Sequence, residues 1–130
     1  MQASNLCFKL ADFGLSRSIS SANTDDITEG DARYMAQELL NENKDLSKAD
    51  IFSLGATIYE LIIRENLPCN GEEWHQIRQG KLDKMDKVVG ISKEFKTLVS
   101  SLMAEDPKIR PSANEILENE ILKEERRKCM

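Results

Sequence analysis

The sequence predicts a mainly α domain that opens on one short strand, and three patterns predict it. From Asp50 to Arg64 the polar residues Asp50, Ser53, Thr57, Glu60 and Arg64 recur at three- and four-residue steps, and the positions between them are apolar or small. Phe95, Leu98, Val99, Leu102 and Met103 follow the i, i+3, i+4, i+7, i+8 spacing of a helix with one apolar face. Ahead of both lies the apolar run Leu6-Cys7-Phe8-Lys9-Leu10, read as one strand of a small hairpin. A chain of 130 residues is long enough for one domain with a core of its own.

The elements follow in order. After the strand, residues 15 to 31 are Ser, Thr, Asn, Asp and Gly with little periodicity, which reads as a loop. It is long for a structureless connection within a compact domain, a length that marks a functional segment. Ser47-x-x-Asp50 has the spacing of a capping box and predicts the start of the next helix, which is apolar over most of its circumference and so buried on most sides. Glu72 to Gln79, with Trp74 and Ile77 on one side, predicts a shorter surface helix ended by Gly80. Ser112-x-x-Glu115 after Pro111 opens a further helix that carries Ile116 and Leu117 inward.

Composition excludes several function classes. A net charge of -5, with Lys and Arg dispersed, argues against a general nucleic-acid or membrane-surface binder. No stretch has the length and apolarity of a membrane-spanning helix and no charged-then-apolar leader is present, so an intracellular protein of the nucleus or cytoplasm is expected. Cys7, Cys69 and Cys129 are odd in number and irregularly spaced, which fits unpaired thiols in a reducing compartment better than a zinc site.

The residues that carry chemistry are Asp12-Phe13-Gly14, at the end of the apolar run and 26 positions before Glu38 in Tyr34-Met35-Ala36-Gln37-Glu38. A carboxylate on a turn past a strand can hold the magnesium that bridges ATP phosphates. Asp50-Ile51-Phe52-Ser53-Leu54-Gly55, then Asp106-Pro107 and Arg110-Pro111, follow in the order of a protein-kinase C-terminal lobe. With these landmarks the chain resembles the activation segment and C-lobe of a eukaryotic protein kinase, an α+β fold of which this stretch holds the mainly α part. Glu29-Gly30-Asp31-Ala32-Arg33-Tyr34 and Asn70-Gly71-Glu72-Glu73-Trp74-His75-Gln76-Ile77-Arg78-Gln79-Gly80 are similar to the Wee/Myt family of cell-cycle inhibitory kinases.

That resemblance divides the 130 residues into strand and Asp-Phe-Gly turn (1 to 14), activation segment (15 to 38) and C-lobe helices (39 to 130). It implies an ATP-dependent protein kinase using magnesium, whose protein substrate is a cyclin-dependent kinase modified on an inhibitory tyrosine. It implies a magnesium-ligand role for Asp12, packing toward the N-lobe for Phe13, backbone rotation at Gly14, and a buried ion pair between Glu38 and Arg110. Asp50 and Gly55 take structural places at the head of the central helix. Trp74 and His75 have two readings, core packing and a docking surface for protein partners.

Two departures stand in the segment. Asp31 occupies the position after Gly30 where Ser/Thr kinases usually carry threonine, so the hydroxyl that contacts the catalytic aspartate is gone, and Arg33 and Tyr34 follow it directly. Gln37 replaces the usual proline before Glu38. Ser16, Ser18, Ser20, Ser21, Thr24 and Thr28 are candidate phosphorylation sites, but Asp25, Asp26, Glu29 and Asp31 already make the loop acidic, which points to a segment that does not require phosphorylation.

Only eleven residues precede Asp12, and the sole histidine is His75. The catalytic base, the strand lysine and the Gly-rich loop of a kinase are therefore expected upstream, leaving no catalytic residue in this stretch and weak binding of ATP and magnesium by it alone. The rival readings are a non-catalytic lobe serving as a protein-binding module and an incomplete gene model.

Overall fold

The computed structural model describes residues 8–16, 18, 30–41 and 45–129. The expected strand falls partly outside them, at Leu6 and Cys7, as do Ser20, Ser21, Thr24, Thr28 and most of the loop acids. Residues 8 to 10 form no strand: Phe8 and Leu10 are about nine-tenths exposed. A strand is held by ladder bonds to a neighbour, and these three residues have none among the described residues.

A 3-10 turn, Gln37–Leu40, leads into helix α1, Leu46–Ile63. Its cap is Asp45, whose carboxylate accepts from the Lys48 backbone N–H at 3.2 Å. This corrects the Ser47 capping box. Ser47 already lies in the first turn, and its hydroxyl donates instead to Asp45 Oδ1 at 2.7 Å, holding the capping carboxyl below its ordinary range. At the far end Arg64 takes a left-handed conformation, φ 57°, and its N–H reaches Glu60 O at 2.9 Å.

One broad face of α1 is buried through Ala49, Ile51, Phe52, Gly55, Ala56, Tyr59 and Ile62. The expectation of burial on most sides is too wide: Leu54 and Leu61, seven residues apart on one face, stay exposed. Helix α2 is Gly71–Arg78, followed by Gly80 at φ 85°, a backbone region that costs glycine nothing. Helix α3, Asp83–Asp86, is a single turn that buries Met85. Helix α4, Lys93–Leu102, has Ser92 as its cap and buries Leu98, Val99 and Leu102, as the periodicity predicts.

A short 3-10 stretch, Pro107–Ile109, precedes α5, Ala113–Leu117, whose capping box is complete: Ser112 Oγ accepts from the Glu115 N–H at 3.2 Å and Glu115 Oε2 from the Ser112 N–H at 3.1 Å. Ile116 packs against the core as expected, whereas Leu117 points outward and is half exposed. Helix α6, Glu120–Cys129, follows, with Glu120 in its first turn and Arg126, Arg127 and Lys128 in its last.

The core gathers Phe52, Tyr59, Ile77, Met85, Val99 and Met103 between α1, α2, α3 and α4. Helices α1 and α4 approach at Gly55, where an added Cβ would sit 2.7 Å from Met103 Cγ and 2.8 Å from Leu102 Cβ. No side chain larger than hydrogen fits there without displacing α4. No helix of the described residues is long and apolar enough to cross a membrane.

Candidate functional site

Residues 30 to 40 run across α1 and α2 and are fastened side chain by side chain. The polar stripe of α1 faces them. Ser53 Oγ donates to the Tyr34 carbonyl at 2.9 Å, and Glu60 Oε1 accepts from the Tyr34 hydroxyl at 2.7 Å while its other oxygen takes the Leu67 N–H at 3.0 Å. The shared proton raises the Tyr34 phenol and lowers the Glu60 carboxyl from their ordinary values.

From α2 come Trp74 and Arg78. The Trp74 indole N–H donates to Ala32 O at 2.8 Å. Arg78 is 2% exposed, and its guanidinium lies 3.7 Å from the Trp74 ring centroid. It donates to Met35 O at 2.9 Å, Ala32 O and Trp74 O at 3.1 Å, and Arg33 O at 3.2 Å. Burial lowers its pKa to about 10, since these carbonyl dipoles replace water only in part. Sequence reasoning did not single out Arg78. The one available signal was its spacing of four from Trp74, which puts both on the same helical face.

At the end of the segment Glu38 meets Arg110, 72 positions away, in a two-pronged contact with N–O distances of 2.5 and 3.1 Å. Arg110 also donates to Ala104 O at 2.8 Å, Lys48 O at 3.0 Å and Glu105 O at 3.4 Å, so all five of its N–H groups have acceptors. The Lys48 ammonium donates in turn to the Arg110 carbonyl, and the Phe52 ring lies 5.0 Å from the guanidinium. Glu38 is nearly buried and Arg110 wholly so.

Ahead of Tyr34, Asp31 pairs with Arg33 at 2.5 Å, takes Arg33 Nε at 3.0 Å and accepts the Arg33 backbone N–H at 3.0 Å. The Arg33 guanidinium holds the Asp31 carboxyl down at about 2, and Asp31 raises the arginine. A cleft of about 710 Å³ opens beside this pair, lined by Asp12, Leu15, Asp31, Tyr34, Asp50 and Ser53. Desolvation raises the Asp50 carboxyl. Asp12 stands exposed at the rim with φ 64°, a left-handed conformation that aspartate tolerates better than most residues. Phe13 is 65% exposed and Gly14 sits in the turn that follows, where Ser16 Oγ donates to Phe13 O.

The sequence pattern of the protein kinase domain family matches residues 1–122. The chain belongs to that family. Among similar proteins, the membrane-associated tyrosine- and threonine-specific cdc2-inhibitory kinase of Drosophila melanogaster is 46% identical over 110 residues, covering 84% of this chain and 20% of that protein. Wee1-like protein kinase 2 of Sus scrofa is 40% identical over 121 residues, covering 92% and 20%. A probable protein kinase of Dictyostelium discoideum is 41% identical over 127 residues, covering 92% and 12%. The chain thus spans at most about a fifth of the length of these relatives.

Protein kinases use ATP and magnesium, and the Asp12 carboxylate is a ligand of the kind that ion takes. Magnesium takes one or two carboxylates and completes its shell with water and phosphate oxygens. Asp12 fits one such place. No group of three His, Cys, Asp or Glu side chains that could hold a metal occurs among the described residues.

Of the two readings of Trp74, its surroundings are those of core packing: the ring is 5% exposed, covered on one face by Arg78 and tied to Ala32 by its N–H. Its role is internal. His75 remains at the surface, edge-on to the Trp74 ring at 4.9 Å. Cys69 is exposed and unpaired.

Proposed function

We propose that these residues are the activation segment and C-lobe of an ATP-dependent protein kinase of the Wee/Myt kind, which phosphorylates a cyclin-dependent kinase on an inhibitory tyrosine and so restrains the onset of mitosis. The partner is a protein substrate of the nucleus or cytoplasm. Asp12 contributes one oxygen ligand to magnesium when ATP is bound. The remaining residues named above hold the segment that faces the substrate.

The observation that carries this reading is the Asp31–Arg33 pair. Where a Ser/Thr kinase would present a hydroxyl, this chain presents a carboxylate closed onto its own neighbour, with Tyr34 anchored beneath it on Glu60. The relatives add support, one being described as specific for tyrosine and threonine and as inhibiting cdc2. The 130 residues alone carry Asp12 but no H-R-D-x-x-x-x-N sequence, and turnover is assigned to the full-length protein.

The test is to incubate full-length protein with magnesium-ATP and a purified cyclin-dependent kinase bound to its cyclin, then to map phosphate by mass spectrometry. Phosphotyrosine beside the ATP site of the substrate is expected. Phosphate confined to serine in generic substrates, or no transfer at all, refutes the assignment.

A further inference from the structure

We infer that Arg78, seated on Trp74, is a positioning residue that fixes the Ala32 to Met35 backbone and through it the affinity for the protein substrate; this rests on the kinase reading above. The argument begins with an anomaly. A buried guanidinium is ordinarily neutralised by a carboxylate, as Arg110 is by Glu38. Arg78 is as buried as Arg110, yet its four hydrogen bonds all go to carbonyl oxygens, three of them from the segment.

Carbonyls are weaker partners than a carboxylate, so if stability alone were at stake an apolar residue would fill the same space at less cost. The geometry instead suits control of a backbone. The fork of one planar group holds Ala32, Arg33 and Met35 together, and the Trp74 N–H adds a second bond to Ala32 O. With three carbonyls turned inward onto one cation, the Tyr34 side chain between them is directed onto Glu60 of α1 and lines the cleft, while Arg33 turns to Asp31. The carbonyl of Tyr34 is the one not taken by Arg78, and Ser53 takes it. Lysine cannot substitute, because a single ammonium nitrogen cannot reach the oxygens that three separate guanidinium nitrogens hold.

In a kinase, this stretch lies between the magnesium-binding turn and Glu38. An error in its path displaces the incoming polypeptide and leaves the nucleotide where it was. The expected signature is selective: a higher KM for the protein substrate at nearly constant KM for ATP.

The experiment uses full-length protein carrying Arg78→Lys or, separately, Trp74→Phe, which keeps an aromatic face under the guanidinium and deletes the N–H to Ala32. Steady-state kinetics are measured against protein substrate and against ATP, with thermal melting on the same samples. Arg78→Lys is expected to raise the protein-substrate KM about tenfold or more and Trp74→Phe by less, with ATP KM changed under about twofold. Should Arg78→Lys fail to fold, Trp74→Phe decides the matter. Unchanged protein-substrate KM in the folded variants, or equal losses toward both substrates in step with the folded fraction, overturns the inference. Absence of any transfer by the unmutated protein would instead remove the kinase reading itself.

Discussion

Breaking the contact between Glu38 and Arg110 is expected to unfasten the end of the segment at a cost that differs between the two partners. Arg110→Ala deletes all five donor bonds, leaves the Ala104, Lys48 and Glu105 carbonyls without that donor and opens space against Phe52. Glu38→Ala leaves a buried guanidinium that keeps its three carbonyl partners. Removing one member of a buried pair typically costs about 3–5 kcal/mol. Arg110→Ala belongs at the upper end of that range. Glu38 retains some contact with water, its side chain being 12% exposed, so the anion left by Arg110→Ala is partly rehydrated and the excess comes from the orphaned carbonyls. The double variant should lose less than the sum of the singles by about 1–3 kcal/mol. Denaturant midpoints for the four proteins, measured in the full-length background with the slope checked for constancy, give the cycle. Additivity to within about 0.5 kcal/mol would mean that the two charges are not energetically coupled and that the reasoning is wrong.

Gly55→Ala should destabilise by about 1–3 kcal/mol, because its Cβ would lie under 3 Å from the Leu102 and Met103 side chains at the end of α4; a melting temperature equal to the unmutated protein's would refute the close helix approach. Asp31 should titrate near pH 2. Its folded pKa is depressed by Arg33, so the contact is complete above the ordinary carboxylate value and is lost only as pH falls through about 2; a carboxyl carbon shift with a midpoint near 4 by NMR would contradict the pairing. The polypeptide of these 130 residues by itself should show no phosphoryl transfer, and Asp12→Ala should abolish transfer in the full-length protein without moving its melting temperature, since Asp12 is exposed. Residual turnover in that variant measured by radiolabelled ATP would exclude Asp12 as the magnesium ligand.

Local signals were legible in the sequence, and long-range ones only where chemistry restricted the choice of partner. The Ser112 and Glu115 capping box is read correctly because both halves lie within one turn. The α4 face is read correctly because five apolar residues agree on it. Asp45 was missed because Ser47 and Asp50 offer the same spacing two residues later, and a cap is decided by where the backbone leaves the extended region. Helix α3 is one turn long, too short for periodicity to register. Leu117 faces out because consecutive residues of a helix diverge by about 100°, so that Ile116 at the core leaves its neighbour turned away from it. Arg78 was hidden for another reason: arginine is ordinarily a surface residue, and its burial depends on carbonyls more than 40 residues away that carry no side-chain signature.

The bond between Glu38 and Arg110 also sets a clock. Arg110 follows Glu38 by 72 residues, and a ribosome adding about 5–20 residues per second needs roughly 4–14 s to make that stretch. Throughout that interval Ser53, Glu60, Trp74 and Arg78 appear in turn, so the segment acquires its anchors from the middle outward and its last one only when the loop before α5 has been made. A newly made chain therefore carries an acidic, unlatched segment for seconds, the period in which chaperones or proteases meet it before its C-terminal anchor exists.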